Sequence, residues 1–279
     1  MRFKKMHGAG NDYVYVDARH EDRDWPAMAA AISDRHKGIG SDGLIILLPS
    51  DRADVRMQMF NADGSEGEMC GNGIRCFVRF ALDTKALQLT DQTVRVETGA
   101  GVLSVTPLWA DGVMTRASVS MGPPRLAPAE IPLALEGQGP IIDHLMEVAG
   151  QKIPITAVSM GNPHAVAFIE SDVADYPLRD IGPMVESHAL FPNKVNFEIV
   201  NVLSRDRLKV RVWERGSGLT QACGTGACAV VVAARLKGLV EEVVTIDLPG
   251  GSLSIQWPGS GDVIMEGPVA EVFDGDWLE

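Results

Sequence analysis

Positive charge is in short supply in this chain. Lys and Arg number 25 against 37 Asp and Glu, a formal net charge of −12. That deficit opposes nonspecific attraction to nucleic acid or anionic lipid, which depends on clustered cations. Long hydrophobic runs are missing as well: ACAVVVAA, residues 227–234, is among the longest and is far too short to span a bilayer. The start, MRFKKMHGAGND, has early positive charge but no apolar stretch behind it, so it does not read as a secretory signal. Cysteine is scarce, with four in 279 residues, which excludes a small disulfide scaffold. Their spacings, C-x5-C and C-x4-C, are neither a zinc knuckle nor a redox C-x-x-C. A thiol-based metal or redox module is the reading from another class, and it has no ligand spacing to support it. The expectation is a cytoplasmic protein that engages no nucleic acid and no membrane and acts on a small molecule. With 46% hydrophobic and 22% charged residues the composition is globular, and the length suits two domains.

The sequence also repeats itself. GNDYVYVD begins at Gly10 and GNPHAVAFIE at Gly161, an offset of 151; CGNG begins at Cys70 and CGTG at Cys223, an offset of 153. Ahead of each cysteine lies an alternating apolar trio, Val55, Met57 and Met59 in one half and Leu208, Val210 and Val212 in the other, as a half-buried strand requires. Asn61 and Glu214 both stand nine residues before their cysteines. After each cysteine comes a helix candidate, IRCFVRFAL or ACAVVVAARL. The second is apolar nearly all round, so it should be surrounded by other structure. The predicted fold is α/β of the α+β type: two pseudo-symmetric domains, each a mixed or antiparallel sheet wrapped around a central helix, with the two helix N-termini facing a cleft. The Pro- and Gly-rich stretch 121–140 marks the passage between halves. We therefore expect one domain over 1–120 plus 268–279, carrying Cys70, and the other over 121–267, carrying Cys223.

A thiol at a helix N-terminus sits beside backbone N–H groups and the positive end of the helix dipole, both of which favour thiolate. Stabilisation of that kind brings a cysteine toward neutral pH, where acid/base catalysis is most effective. The glycines of each CGxG turn let the backbone approach a carboxylate. Two equivalent acid/base groups on opposite faces of one carbon would invert its configuration, one removing a proton and the other returning one. An arbitrary cysteine is more often a small buried hydrophobe; that reading is kept for Cys76 and Cys228, whereas the repeat favours chemistry at Cys70 and Cys223.

These motifs, MHGAGNDYVYVD, NADGSEGEMCGNGIRCF, SMGNPHAV, NKVNFEIV and ERGSGLTQACGTGACA, resemble those of the diaminopimelate epimerase family along essentially the whole chain. The resemblance implies a cofactor-independent isomerase that needs neither metal nor pyridoxal phosphate. It implies conversion of LL-diaminopimelate to the meso isomer, in lysine and peptidoglycan precursor synthesis, within a site that closes on substrate. Cys70 and Cys223 would be the acid/base pair. The reacting carboxylate would lie against the backbone of Gly71, Asn72, Gly224 and Thr225, and Asn11, Asn61, Asn162, Asn196, Glu214 and Arg215 would bind the remaining polar groups, with Arg215 on the distal carboxylate. His164 and Glu214 would lie near the reacting carbon. A homodimer is implied too. Some members carry Gln where this chain has Gly43, so no contact is carried over to Gly43. The alternative on the same scaffold is a racemase of another amino acid, of the histidine or proline type, against which Asn61, Asn196 and Arg215 argue.

Three features invite other readings. GIGSDG, residues 38–43, spells a dinucleotide fingerprint, but LIILL follows it, and a turn feeding a strand is not the required strand-to-helix context. His164 taken alone would be a structural histidine. Arg75 and Arg79 share a helical face with Asp83, which predicts a solvated ion-pair face.

Overall fold

The computed structural model describes residues 1–278. The chain gathers into two compact units, Met1–Ser120 together with the segment from Glu266 on, and Met121–Met265.

The first unit runs β1 (Arg2–Gly8), β2 (Asn11–Asp17), α1 (Trp25–Ser33), β3 (Gly43–Leu48), β4 (Val55–Asn61), β5 (Glu66–Gly67), α2 (Gly71–Asp83), β6 (Val94–Thr98), β7 (Gly101–Ala110) and β8 (Val113–Ser120). A two-residue turn joins β1 to β2, with Ala9 and Gly10 both at positive φ, the twist that a tight hairpin needs. Strand β2 pairs parallel with β3, β3 antiparallel with β4, and β4 parallel with β6. The alternation read in Val55, Met57 and Met59 holds: all three are buried.

The second unit repeats this plan. It runs β9 (His144–Val148), β10 (Gln151–Ser159), β11 (Pro163–Phe168), α3 (Leu178–Glu186), β12 (Asn196–Ser204), β13 (Arg207–Glu214), β14 (Gly218–Leu219), α4 (Gly224–Leu236), β15 (Val243–Leu248) and β16 (Gly251–Gln256). Again β11 pairs parallel with β12, β12 antiparallel with β13, and β13 parallel with β15. The chain continues through β17 (Ile264–Pro268) into β18 (Ala270–Asp276). Strand β18 lies antiparallel to β1 as β9 does to β10. The registers match across the repeat: Tyr13 faces Gly43, and His164 faces Asn196.

Each unit wraps its sheet around one helix. Helix α2 packs on β1 to β4, β7 and β8, and α4 on β10, β11, β12 and β16. The Val230–Val232 run is helical and fully buried. Three β-branched residues cost a helix a few tenths of a kcal/mol each, whereas burying each is worth roughly 1.5 kcal/mol or more, so packing decides. Cys76 and Cys228 are fully buried in the two helices.

The expected solvated face of α2 is not there. Arg75 is fully buried, its guanidinium donating to Gly71 O at 2.9 Å and to Asn72 Oδ1 at 3.0 Å. Arg79 does pair with Asp83, at 2.8 Å, but also donates to Met114 O of β8, because the sheet covers that side of the helix. GIGSDG follows a helix and opens β3, the wrong order for a dinucleotide site. Among the described residues no helix is long and apolar enough to cross a membrane.

Candidate active site

Cys70 and Cys223 are the N-caps of two helices of 13 residues each. Both have extended backbone, and their sulfurs accept the N–H of the residue three further on, Gly73 at 3.3 Å and Gly226 at 3.4 Å. A side chain that caps a helix accepts at that position; here the acceptor is a sulfur. The glycines are required by space. A Cβ on Gly73 would stand 2.6 Å from Ile45 Cδ1, and one on Gly226 2.7 Å from Glu198 Oε1.

In the first unit, the Cys70 thiol donates to Asn11 Oδ1 at 3.1 Å. The Asn11 amide is fixed in that orientation by Asp42, whose Oδ2 accepts from Asn11 Nδ2 at 2.6 Å and from the Asp12 N–H at 3.1 Å. Arg35 bridges Asp42 and Asp12, each at 2.8 Å, and Lys5 reaches Asp12 at 2.6 Å. Burial alone would raise the Asp12 carboxyl, but the bonds from Arg35 and Lys5 prevail and hold it below the usual carboxylate range. Burial, and then the nearby Cys70, pushes the Tyr13 hydroxyl well above its ordinary value. Gly71 and the buried Asn72 form the first turn behind the sulfur. Asn61 stands apart at the exposed end of β4, donating to Ser65 Oγ at 3.0 Å. Gly43 has no room for a side chain, since a Cβ would lie 2.2 Å from Phe60 O.

In the second unit the expected residues converge more closely. Cys223 is buried and its sulfur lies 3.5 Å from Thr225 Oγ1. Thr225 accepts from Asn162 Nδ2 at 3.3 Å, Asn162 Oδ1 meets His164 Nε2 at 3.0 Å, and His164 Nδ1 meets Glu198 Oε1 at 2.7 Å. His164 is fully buried. Asn196 donates to Pro163 O at 3.2 Å and accepts the Arg215 N–H at 2.8 Å. The exposed Arg215 guanidinium donates to Asn193 O at 3.0 Å. Glu214 accepts from the Thr220 hydroxyl. Gly224 begins α4 directly behind the sulfur.

The electrostatics of this cluster reverse one expectation. The helix end was expected to bring the cysteines toward neutral pH, yet the Cys223 thiol is pushed well above its ordinary value, first by burial and then by the charges of Glu214 and Glu198. Desolvation penalises the thiolate more than one helix end stabilises it. Burial likewise raises the Glu214 carboxyl, with Glu198 adding to the shift and the Thr220 hydrogen bond opposing it.

Residues of these clusters that escape the sequence reading are Lys5, Asp12, Tyr13, Arg35, Asp42, Glu198 and Thr220. Asp42 and Tyr13 sit in plain polar and aromatic positions, and nothing local marks them. Glu198 lies between the apolar Phe197 and Ile199 of β12 and carries a signal, a carboxylate two residues beyond Asn196 in NFEIV.

Comparison with known proteins first places the fold. A Bacillus anthracis phenazine biosynthesis protein of the PhzF family superposes with a TM-score of 0.70 at 15% identity, covering 100% of this chain and 99% of that one. A probable proline racemase from Agrobacterium radiobacter K84 superposes with a TM-score of 0.68 at 14% identity, covering 99% of this chain and 92% of that one. The chain thus shares its fold with these two proteins. The sequence model for diaminopimelate epimerase matches residues 3–127 and 156–272. Relatives described as diaminopimelate epimerase include those of Agathobacter rectalis, 48% identical over 99% of both chains, and of Bacillus cereus strain B4264, 47% identical over 98% of this chain and 96% of that one. The chain belongs to the diaminopimelate epimerase family.

Proposed function

We propose that the protein is an isomerase that converts LL-2,6-diaminopimelate to meso-diaminopimelate with Cys70 and Cys223 as its two acid/base groups. The observation that carries this reading is the repeated cap: in each unit a thiol starts a helix buried in its own sheet, with its sulfur on a glycine N–H. One sulfur, as thiolate, removes the α-proton, and the other, as thiol, delivers its own proton to the opposite face. Product release leaves the proton count of the pair unchanged. Neither step draws on a cofactor.

The charge that grows as the α-proton leaves falls on the substrate carboxylate. The backbone of Gly71, Asn72, Gly224 and Thr225, at the positive helix ends, is suited to stabilise it. Asn11, Asn162, Asn196 and Glu214 supply polar partners for the amino and carboxylate groups. Asn61 and Arg215, exposed in the free protein, are the groups with reach for the distal end, where a guanidinium can pair with a carboxylate. The same reading makes the enzyme a cytoplasmic homodimer.

The deciding experiment incubates the purified protein with LL-diaminopimelate in deuterium oxide, without added pyridoxal phosphate or metal. Deuterium should enter the α-position as meso product appears. Comparable turnover of a monocarboxylic amino acid would transfer the assignment to the racemase alternative.

A further inference from the structure

The repeat provides an internal control, because each residue near one cysteine has a counterpart near the other. Two residues beyond Gly43 in β3 stands Ile45, paired with Tyr15; two residues beyond Asn196 in β12 stands Glu198, paired with Val166. Both are fully buried and both reach under the first turn of the central helix, Ile45 Cδ1 to 2.6 Å from where a Gly73 Cβ would be, and Glu198 Oε1 to 2.7 Å from where a Gly226 Cβ would be. A methyl group in one half is thus replaced by a carboxylate in the other. The contrast continues five residues past each cysteine, where α2 buries the Arg75 guanidinium and α4 buries the Cys228 thiol.

We propose that Glu198 is a positioning residue that makes the two cysteines chemically unequal: its carboxylate, seated against the first turn of α4, offsets the helix-end field and keeps Cys223 protonated until substrate arrives. This rests on the reading of Cys223 as one of the two acid/base groups. A negative charge at the positive end of a helix cancels the field that would otherwise favour a thiolate there. Glu198 Oε1 is held by His164, while Oε2 has no hydrogen-bond partner among the described residues, so one of its two oxygens is left facing the packed interior without a donor.

The position is fixed by a hydrogen-bonded chain, Glu198 to His164 to Asn162 to Thr225 to Cys223. No such chain can start from Ile45. The titratable groups toward Cys223 are Glu214 from β13, Glu198 from β12 and His164 from β11; β16 contributes none, and Lys152 of β10 is exposed. Burial raises the Cys223 thiol most, Glu214 next and Glu198 after it, so the Glu198 share is the part that substitution at Glu198 alone can remove.

The test titrates thiolate ultraviolet absorbance against pH in the substrate-free protein, with the matching Cys223→Ala protein subtracted to isolate Cys223. Glu198→Gln keeps an acceptor for His164 and removes the charge, so Cys223 should titrate about one pH unit lower than in the unsubstituted protein. Glu198→Asp keeps the charge and should leave the midpoint high. An unchanged or raised midpoint in Glu198→Gln, or equal shifts in both variants, overturns the proposal. If Glu198→Gln does not fold, Glu198→Ile, which installs the residue that stands at the equivalent place in the first unit, is titrated in its stead: a Cys223 midpoint lower than in the unsubstituted protein supports the proposal, an unchanged or raised one overturns it, and so does a midpoint in the unsubstituted protein at or below that of an ordinary thiol, about 8.5. Because this readout needs no substrate, it stands apart from failure of the epimerase assay.

Discussion

Asp42 holds the Asn11 side chain in the one orientation that offers its carbonyl oxygen to Cys70. With Asn11 Nδ2 on Asp42 at 2.6 Å and Asn11 Oδ1 on the sulfur at 3.1 Å, the amide cannot turn without breaking a charge-assisted bond. Asp42→Ala frees that rotation and also removes a partner of Arg35. Turnover should fall by between about ten- and a hundredfold through misplacement alone, with the far-ultraviolet circular dichroism unchanged. Steady-state kinetics of the epimerase reaction would check it, and full activity would show that Asn11 is oriented by other means.

On the proposed assignment, replacing either sulfur removes one of the two proton carriers. Cys70→Ala and Cys223→Ala should each lower epimerisation by about 10²- to 10⁴-fold. Near-normal turnover by either variant contradicts the assigned pair.

Steric fit at the first turn of α2 can be tested by relief. Gly73→Ala drives a methyl group into Ile45 Cδ1 and should destabilise by about 1–3 kcal/mol. Ile45→Val deletes that same carbon and alone should cost about 1 kcal/mol. The double variant should lose less than the sum of the two single losses, since the clash is gone. Strict additivity in urea unfolding would mean that the helix moves aside instead.

Arg75 and Arg79 should part company in stability measurements. Arg75→Ala removes a buried cation that holds Gly71 O and Asn72 Oδ1 and should cost roughly 3 kcal/mol. For Arg79→Ala the loss should be about 1 kcal/mol or less, because its partner Asp83 is partly exposed and water screens the pair. The same unfolding series measures both.

Alkaline pH should weaken the fold through Cys76. Burial raises this thiol from 9.0 to about 11, despite the opposing charge of Arg75. Between those values the folded chain keeps a proton that the unfolded chain has lost, so unfolding releases it and stability falls as pH rises. The contribution is intact below about pH 9 and is lost by about pH 11. Cys76→Ala should flatten that part of the stability profile; an unchanged slope would assign the loss elsewhere, with the buried Tyr15 next in line.

The helix starts at Cys70 and Cys223 were legible because a cap, two small residues and an apolar run recur at a constant offset, and local chemistry fixes such a start. The buried sides of those helices were not legible. Arg75 and Arg79 fall together on a helical wheel, but a wheel cannot show that the sheet closes over both. Glu198 is not legible for a related reason: helices α3 and α4 both pack on β12, so its burial follows from elements that lie elsewhere in the sequence. Its partner His164, by contrast, was marked by the Gly-Asn-Pro ahead of it. The high thiol at Cys223 was missed because a helix end can be read locally, while desolvation depends on everything packed around it.

The pairing of β1 with β18 has a consequence for synthesis. Lys4 meets Glu271, 267 positions later, so the opening strand leaves the ribosome long before its neighbour exists, while Met121–Met265 is continuous. Domains fold as units during translation; the later-made half can therefore be complete while the earlier one still waits for its border, and a stalled or clipped chain would strand the half that was begun first.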